Sequence, residues 1–414
     1  MFIGSEALGR IERRGPTRYR FNYSEQALGK YRPGSIVLSA SLRLRSEDFT
    51  PSESAPFFEG LLPEGAIRSA ISQALRLNER DGFGLLAELG SECAGAVAVL
   101  REGVVPRVPG SSRIRSLSED ELGRLIDDLP THPLGVTGSP EGARLSLGGV
   151  QQKLVLARDE SGRLGMPLDG TPSTHLLKPE SDAYEDLAVN EAFCLRVAAT
   201  AGMEAASAEV TEVGSRRCLL VERFDRRQDD RGFVVRLHQE DMCQALGLLP
   251  TAKYEQSGGP SVARVIDLLR ALGSAHAALG IRDFVRALVV NFLLGNSDAH
   301  GKNFALLYDP DAEVGLAPLY DVVSTAVYPQ LTSQMAMSLG GVDDPDRVDL
   351  ATWARLADEA GIGRVIGEVV RRQAGAILRA TDRVAKEAQA EGWHRPVIDA
   401  IVEVCRRRAA QLTA

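Results

Sequence analysis

Three oxygen-bearing side chains near the middle of the second half of the chain have types and spacing suited to phosphoryl transfer. Asp298 and Asn303 bracket the polar stretch Asp298-Ala299-His300-Gly301-Lys302-Asn303, and Asp321 follows two short apolar runs. A carboxylate beside an attacking hydroxyl orients it and takes its proton. An amide oxygen and a second carboxylate can hold Mg2+ against the phosphates of a nucleotide. Asp-x4-Asn is common by itself and is equally compatible with a polar turn before a structural hairpin. The elements around it give it weight.

Those elements read as helix, loop, strand, turn, strand. The apolar run Phe284–Leu294 predicts a helix buried nearly all round, broken at Gly295-Asn296. Phe304–Tyr308 and Leu316–Tyr320 predict a strand pair joined by a DPDAEVG turn, the second strand ending on Asp321. Protein kinases use the same spacing between catalytic base and metal-binding Asn, with a metal carboxylate downstream. Upstream, Thr174–Lys178 is a short strand whose terminal Lys178 can reach phosphates, and Asn190–Ala201 is a helix carrying Glu191. A strand lysine paired with a helix glutamate pre-sets a phosphate-binding lysine, although Glu191 equally suits a helix N-terminus. Ala143–Ala157 predicts strand, Gly148-Gly149 loop, strand. A glycine turn lets backbone N–H groups approach phosphate closely, but a G-x-x-x-x-G-K-[ST] loop is absent.

With 414 residues the chain is long enough for two or three cores. Its 44% apolar and 25% charged residues are those of an ordinary globular protein, and its net charge of -8 argues against strong binding of nucleic acid by this chain alone. Five scattered cysteines without a C-x-x-C pair disfavour zinc and disulfide frameworks and suit a reducing cytoplasm. No leader-like N-terminus is present, and no apolar run approaches the roughly 18 residues that a spanning helix needs. A cytoplasmic location without membrane contact is expected.

In chain order, residues 1–103 predict a small α+β unit. Arg18–Glu25 and Ser35–Leu44 read as strands, Glu64–Leu77 and Phe83–Leu89 as helices, and Ala94–Leu100 as a closing strand. Residues 104–141 form a linker with one short helix, opened by the capping box Ser118-Glu119-Asp120-Glu121. Residues 142–230 carry the glycine loop, the Lys178 strand and a hairpin, Ala206–Val213 with Arg217–Arg223, that ends at Glu222-Arg223-Phe224. From Val235 the chain reads as mainly helical, beginning with Arg236–Gly247 and finishing with Leu350–Ala360, Arg364–Gln389 and Val397–Leu412.

The segment Arg236–Pro260, RLHQEDMCQALGLLPTAKYEQSGGP, resembles the R-x-x-Q-E-D-x-x-Q and K-Y-E-x-x-G-G-P pattern of the HipA family, the serine/threonine kinase toxins of bacterial toxin–antitoxin modules. S-x-G-G-x-Q-x-K-L from Ser146 to Leu154, THLLK, VERFDRR, GNSDAHGKNF and PLYDVVS extend the resemblance. PFFEGLLPEG and GSECAGAV carry it through the N-terminal unit. It implies an α+β, two-lobed protein-kinase-like fold, with a mixed α/β N-terminal lobe and a mainly helical C-terminal lobe.

By the same resemblance Asp298 is the catalytic base, and Asn303 and Asp321 hold Mg2+. Gly148, Gly149, Val150, Gln151, Gln152 and Lys153 form the phosphate loop of an ATP site, and Lys178 meets the α and β phosphates. Glu222, Arg223 and Phe224 form the adenine hinge. His300, Gly301, Lys302, Asn303 and Tyr320 complete the nucleotide pocket. Ser146 occupies the family's autophosphorylation position, where an added charge of about -1.5 to -2 would unseat the loop and silence the enzyme. Gln152 stands where the pattern has Glu, and Gly148 thins the loop further.

The resemblance also implies a protein substrate such as an aminoacyl-tRNA synthetase, with glutamyl-tRNA synthetase the precedent, and an arrest of translation. The implied partner is a HipB-like helix-turn-helix antitoxin through which operator DNA is bound. Two other classes remain open: a catalytically silent co-repressor subunit, and a small-molecule kinase of similar architecture. Intact Asp298, Asn303, Asp321 and Lys178 argue against the first. The Ser146 loop and the Gln239–Gln244 segment argue against the second.

Overall fold

The computed structural model describes residues 1–106, 113–135, 151–159, 161–168, 170–273, 277–309, 314–363 and 366–412. Ser146, Gly148, Gly149 and Val150, with the first strand of the expected glycine hairpin, lie outside them.

The N-terminal unit begins with β1 (Phe2–Ile3), β2 (Glu6–Ala7), β3 (Gly9–Arg13) and β4 (Tyr19–Tyr23), then α1 (Glu25–Lys30), α2 (Pro51–Gly60), α3 (Gly65–Ala74) and α4 (Gly82–Leu89), and closes with β5 (Val97–Ala98) against β1. Proline at the first helical turn and a Thr50/Glu53 capping box start α2. The helix then buries Phe57 and Phe58 against Phe21, Tyr23 and Phe49 of an aromatic core. Ser35–Leu44 is not a strand. Leu38, Leu42 and Leu44 are buried as their alternation implies, but the segment bends through a Ser39–Leu42 turn. Its Ser39 hydroxyl and Ala40 N–H donate to Glu240 instead of to a neighbouring strand.

A six-stranded antiparallel sheet forms the small lobe, in the order β10-β11-β9-β7-β8-β6. Its strands are β6 (Arg113–Ser116), β7 (Leu154–Arg158), β8 (Leu164–Leu168), β9 (His175–Pro179), β10 (Ala208–Val213) and β11 (Arg216–Glu222). The edge strand β6 lies within the segment expected to be a linker. α5 (Glu119–Asp128), with the expected capping box, covers Leu154, Leu156, Leu177 and Leu220 on one face. On the other face α6 (Leu187–Thr200) packs Ala188 and Ala192 on Leu219 and Val221, while Val155 joins the N-terminal core. Burial of both faces explains why Leu154–Ala157 is apolar without alternation.

The chain then crosses by β12 (Arg226–Gln228) and β13 (Val234–Arg236) into β14 (His238–Asp241), α7 (Met242–Ala245), α8 (Val262–Ala271) and α9 (Ala277–Leu294). His238–Asp241 is therefore a strand, not the start of a helix. It pairs with β15 (Ala305–Tyr308), and only Asp241 onward turns helical, through a capping box with Gln244. β16 is Gly315–Leu316 alone. The rest of the expected strand is an extended run touching Ala205 at Leu319. α10 (Leu350–Glu359), α11 (Ile366–Ala390) and α12 (Pro396–Gln411) enclose α9, whose residues Phe284, Val285 and Ala287–Leu294 are buried. Among the described residues no helix is long and apolar enough to cross a membrane. All five cysteines are buried free thiols.

Candidate active site

The catalytic-type loop hangs from the end of α9. Gly295, at φ +81°, closes the helix in a left-handed cap that favours glycine, and Asn296 N–H reaches back to the Asn291 carbonyl at 2.9 Å. Buried Asn296 then organises the turn. Its Nδ2 donates to Asn291 Oδ1 (2.7 Å), and its Oδ1 accepts from Asp298 N (3.1 Å). Farther on, Asn303 Oδ1 accepts from His300 N (3.1 Å) and Tyr320 Oη donates to the Lys302 carbonyl (2.7 Å). At Gly301 a Cβ would stand 2.5 Å from Pro260, so the loop seats against the Gly258-Gly259-Pro260 turn only with glycine there.

Asp321, close enough to act on Asp298 and His300, belongs to a charge cluster. Lys178 Nζ donates to both Glu191 oxygens (2.8 and 3.0 Å) and to Asp321 Oδ1 (2.5 Å). Lys178 and Glu191 are buried, whereas the Asp321 side chain keeps 46% of its surface exposed. Burial would raise the Asp321 carboxyl, but the Lys178 and Lys153 ammoniums outweigh it and hold it low. Burial lifts Glu191. Lys153 sits close enough to this group that burial and the Lys178 charge push it down to about 8. Asp321 also has φ +55°, a conformation that non-glycine residues adopt at a cost and that concentrates at functional sites.

Asp298 is exposed at its tip, but its surroundings raise its carboxyl by partial burial, against the opposing effect of the Tyr254 hydroxyl. Tyr254 Oη donates to Asp298 Oδ1 at 2.8 Å. His300 packs edge-on against the Tyr254 ring (5.2 Å, 81°), and burial lowers its imidazole to about 3, leaving it neutral.

The structure thus brings together Lys153, Lys178, Glu191 and Asp321 on one side, and Asp298, His300, Gly301 and Asn303 on the other. Phe224 stacks on Tyr320 (5.3 Å, 30°). Gln151 and Gln152 lead into β7 at partly exposed positions. Two side chains expected in the nucleotide pocket are engaged elsewhere. Lys302 bonds Asp241 Oδ2 (2.7 Å) and lies 3.6 Å from Glu64. Arg223 is buried among Glu92, Asp225 and the Cys93 carbonyl. Glu222 is exposed. The Arg223 N–H is given to the Thr174 carbonyl (2.9 Å), so Arg223 has only its own carbonyl to offer a ligand.

Sequence reasoning did not foresee Tyr254, Lys253 or Glu64. Lys253 and Lys302 share the Glu64 carboxylate, at 3.8 and 3.6 Å, so the N-terminal unit reaches the mouth of the site. The signal was available in K-Y-E and L-L-P-E-G, which stood out as pattern without a chemical role. The Gln239–Gln244 segment gains its roles here. Gln239 donates to Asp225, Glu240 accepts from Ser39 and Ala40, Asp241 pairs with Lys302, and Gln244 donates to the Phe57 carbonyl.

The donor set suits a nucleotide with its metal. Lys178 and Lys153 lie beside the carboxylates of Glu191 and Asp321. The Asp321 carboxylate is open to solvent, and the Asn303 amide oxygen, which accepts one bond from His300 N, keeps a second lone pair. Mg2+ is commonly held by one or two carboxylates together with substrate phosphates.

Comparison with known proteins places the chain in a family. Residues 1–100 match the HipA N-terminal domain and residues 145–390 the HipA-like C-terminal domain. A putative kinase, Y4mE, of Sinorhizobium fredii is 41% identical over 87% of this chain and 86% of its own. The serine/threonine-protein kinase toxin HipA of Shewanella oneidensis is 31% identical over 76% of this chain and 73% of its own. A solved complex of Shewanella oneidensis HipA with HipB and operator DNA superposes with a TM-score of 0.81. It is 26% identical and covers 99% of this chain and 95% of that one.

Proposed function

The chain belongs to the HipA family, and we propose that it is an ATP-dependent protein serine/threonine kinase acting as the toxin of a toxin–antitoxin module. The observation that carries this reading is the Lys178–Glu191–Asp321 cluster, whose Asp321 lies near enough to act on Asp298 and on His300, the residue bonded to Asn303. In the proposed reaction a serine oxygen bonds to the γ-phosphorus as the bond to the β-phosphate oxygen breaks. The serine proton passes to Asp298, and ADP leaves with the electron pair. Lys178, fixed by Glu191, neutralises the α and β phosphates, with Lys153 and the residues from Gly148 covering them. Asn303 and Asp321 would hold Mg2+, which when bound offsets charge on the phosphates. Phe224 and Tyr320 flank the base side of the nucleotide, with backbone from Glu222 to Phe224 at the adenine edge.

The proposed substrate is an aminoacyl-tRNA synthetase, glutamyl-tRNA synthetase first, with arrest of translation in the cytoplasm as the outcome. Ser146 is the proposed autophosphorylation site that switches the enzyme off. A HipB-like antitoxin is the proposed partner, contacting operator DNA for an acidic chain that carries no basic excess of its own. We assign residues 1–103 to an N-terminal subdomain, 104–141 to a connecting segment, 142–230 to the small lobe and 231–414 to the large lobe.

Incubating the protein with Mg-ATP labelled at the γ position and a panel of purified synthetases tests the substrate. Label on serine of one synthetase, absent with Asp298→Asn, is the expected result. Labelling of none of them would remove the synthetase assignment.

A further inference from the structure

Asp298 is the group on which the proposed chemistry turns, yet its own peptide does not fix the aim of its carboxylate. Asn296 holds the Asp298 backbone N–H, and the loop carbonyls and amides bond to one another and to Lys253. The hydrogen bond that reaches the Asp298 side chain comes from Tyr254 Oη, 44 residues upstream, at 2.8 Å.

Tyr254 is itself rigidly mounted. The Lys253 carbonyl accepts from Gly301 N (3.1 Å), tying the segment to the loop it serves. The Tyr254 carbonyl accepts from Ser257 N and Gly259 N, both at 2.9 Å, closing a tight turn. Next to it Glu255 is pinned twice, its N–H to the Ala336 carbonyl (3.1 Å) and its Oε2 to Ser338 N (2.6 Å). Ala336 N in turn bonds the Ser297 carbonyl (2.8 Å), one residue before the base. The Tyr254 ring rests on His300, which burial keeps neutral, and Lys253 lies over its other neighbourhood 5.5 Å from the ring centroid.

The geometry points to Tyr254 as the positioning residue of the proposed kinase reaction: its hydroxyl occupies Oδ1 of Asp298 and so presents Oδ2 to the substrate hydroxyl. This inference rests on the kinase reading above. A carboxylate that must accept a proton in the transition state gains from being held in one rotamer by a donor that does not itself compete for the proton. A phenol suits that task, because burial and the Asp298 charge keep the Tyr254 hydroxyl protonated far above neutral pH. The other charged groups felt at Asp298 are Lys253, which favours its ionised form, and Asp321, which opposes it. Neither is hydrogen-bonded to it.

The test is Tyr254→Phe, which keeps the ring on His300 and removes one oxygen from a half-exposed side chain. Wild type, Tyr254→Phe and Asp298→Asn are compared for steady-state phosphoryl transfer, Mg-ADP affinity and thermal midpoint. The expected result is a kcat lowered about tenfold in Tyr254→Phe, as suits impaired general-base catalysis. Its KM for ATP, Mg-ADP affinity and midpoint stay at wild-type values. A kcat within about twofold of wild type would overturn the inference and leave the kinase reading standing. Equal losses in kcat, Mg-ADP affinity and midpoint would assign Tyr254 a merely structural role and also overturn it. No transfer by wild type would remove the kinase reading, and the inference with it.

Discussion

Lys178 is held by two carboxylates of opposite character. Glu191 is buried and can serve only the lysine, whereas Asp321 opens to the cleft and can also serve a ligand. Replacing Lys178 with Met strands a buried glutamate, so the loss is twofold in kind. Transfer should fall at least about a hundredfold, as for removal of a charge-stabilising group, and stability by about 3 kcal/mol or more, as for a broken buried pair. Thermal melts separate this from Asp298→Asn, whose exposed side chain should leave the midpoint close to wild type while transfer is lost. Asp298 and Asn303 stand out in the sequence by residue type and short spacing, whereas Lys178 and Asp321, 143 residues apart, stand out by residue type at a strand end and meet only in the fold. Tyr254 and Glu64 do not stand out, since each reaches the site only through the tertiary fold. Nor does sequence show that the Arg223 and Lys302 side chains turn away into ion pairs.

The most informative element is β14 with α7, where every polar side chain of Gln239–Gln244 named above has a partner in another part of the chain. The sequence suggests a helix over the whole segment because Met242–Ala245 is helical and the strand His238–Asp241 before it is short. Ser35–Leu44 misled in the converse way. Its alternation correctly marked which leucines are buried, but Ser39 and Ala40 bond Glu240 rather than a neighbouring strand. Glu240 also accepts from Tyr308, and burial pushes its carboxyl up to about 7. A carboxyl raised on folding is protonated in the native state while the unfolded chain has already ionised. Its contribution therefore weakens as pH rises from about 4.5 to 7 and is fully lost above that window. At about 1.4 kcal/mol per tenfold change in proton affinity, the loss is roughly 3 kcal/mol at most. Glu240→Gln should thus gain stability relative to wild type between pH 5 and pH 8 in thermal melts. A constant difference across that range would contradict the assignment.

Across the whole molecule, the N-terminal unit and the two lobes are joined through buried charge as well as apolar contact. Glu92 of the N-terminal unit pairs with Arg223, Arg226 and Arg236 and accepts from Ser173 N–H and Oγ. Burial alone would raise Glu92, but Arg236, Arg226 and Arg223 outweigh it and hold it at about 2. A carboxyl lowered on folding contributes stability that is present above about pH 4.5 and is lost as pH falls toward 2. Glu92→Ala leaves three arginines with less compensation and should cost about 3–5 kcal/mol near neutral pH, read by denaturant unfolding. The difference from wild type should shrink on acidification. Sequence made the two-lobed architecture legible through the order of its motifs. It could not reveal this joint, in which Glu92 and its three arginines are separated by more than a hundred residues. The central claim, that the cleft transfers phosphate with Asp298 as base, is tested most directly by intact-mass and peptide mass spectrometry. Dephosphorylated wild type and Asp298→Asn are each incubated with Mg-ATP. The account predicts one added phosphate on Ser146 of the wild type and none on the variant. No added phosphate on either, with no binding of ATP, would contradict it and favour a catalytically silent co-repressor.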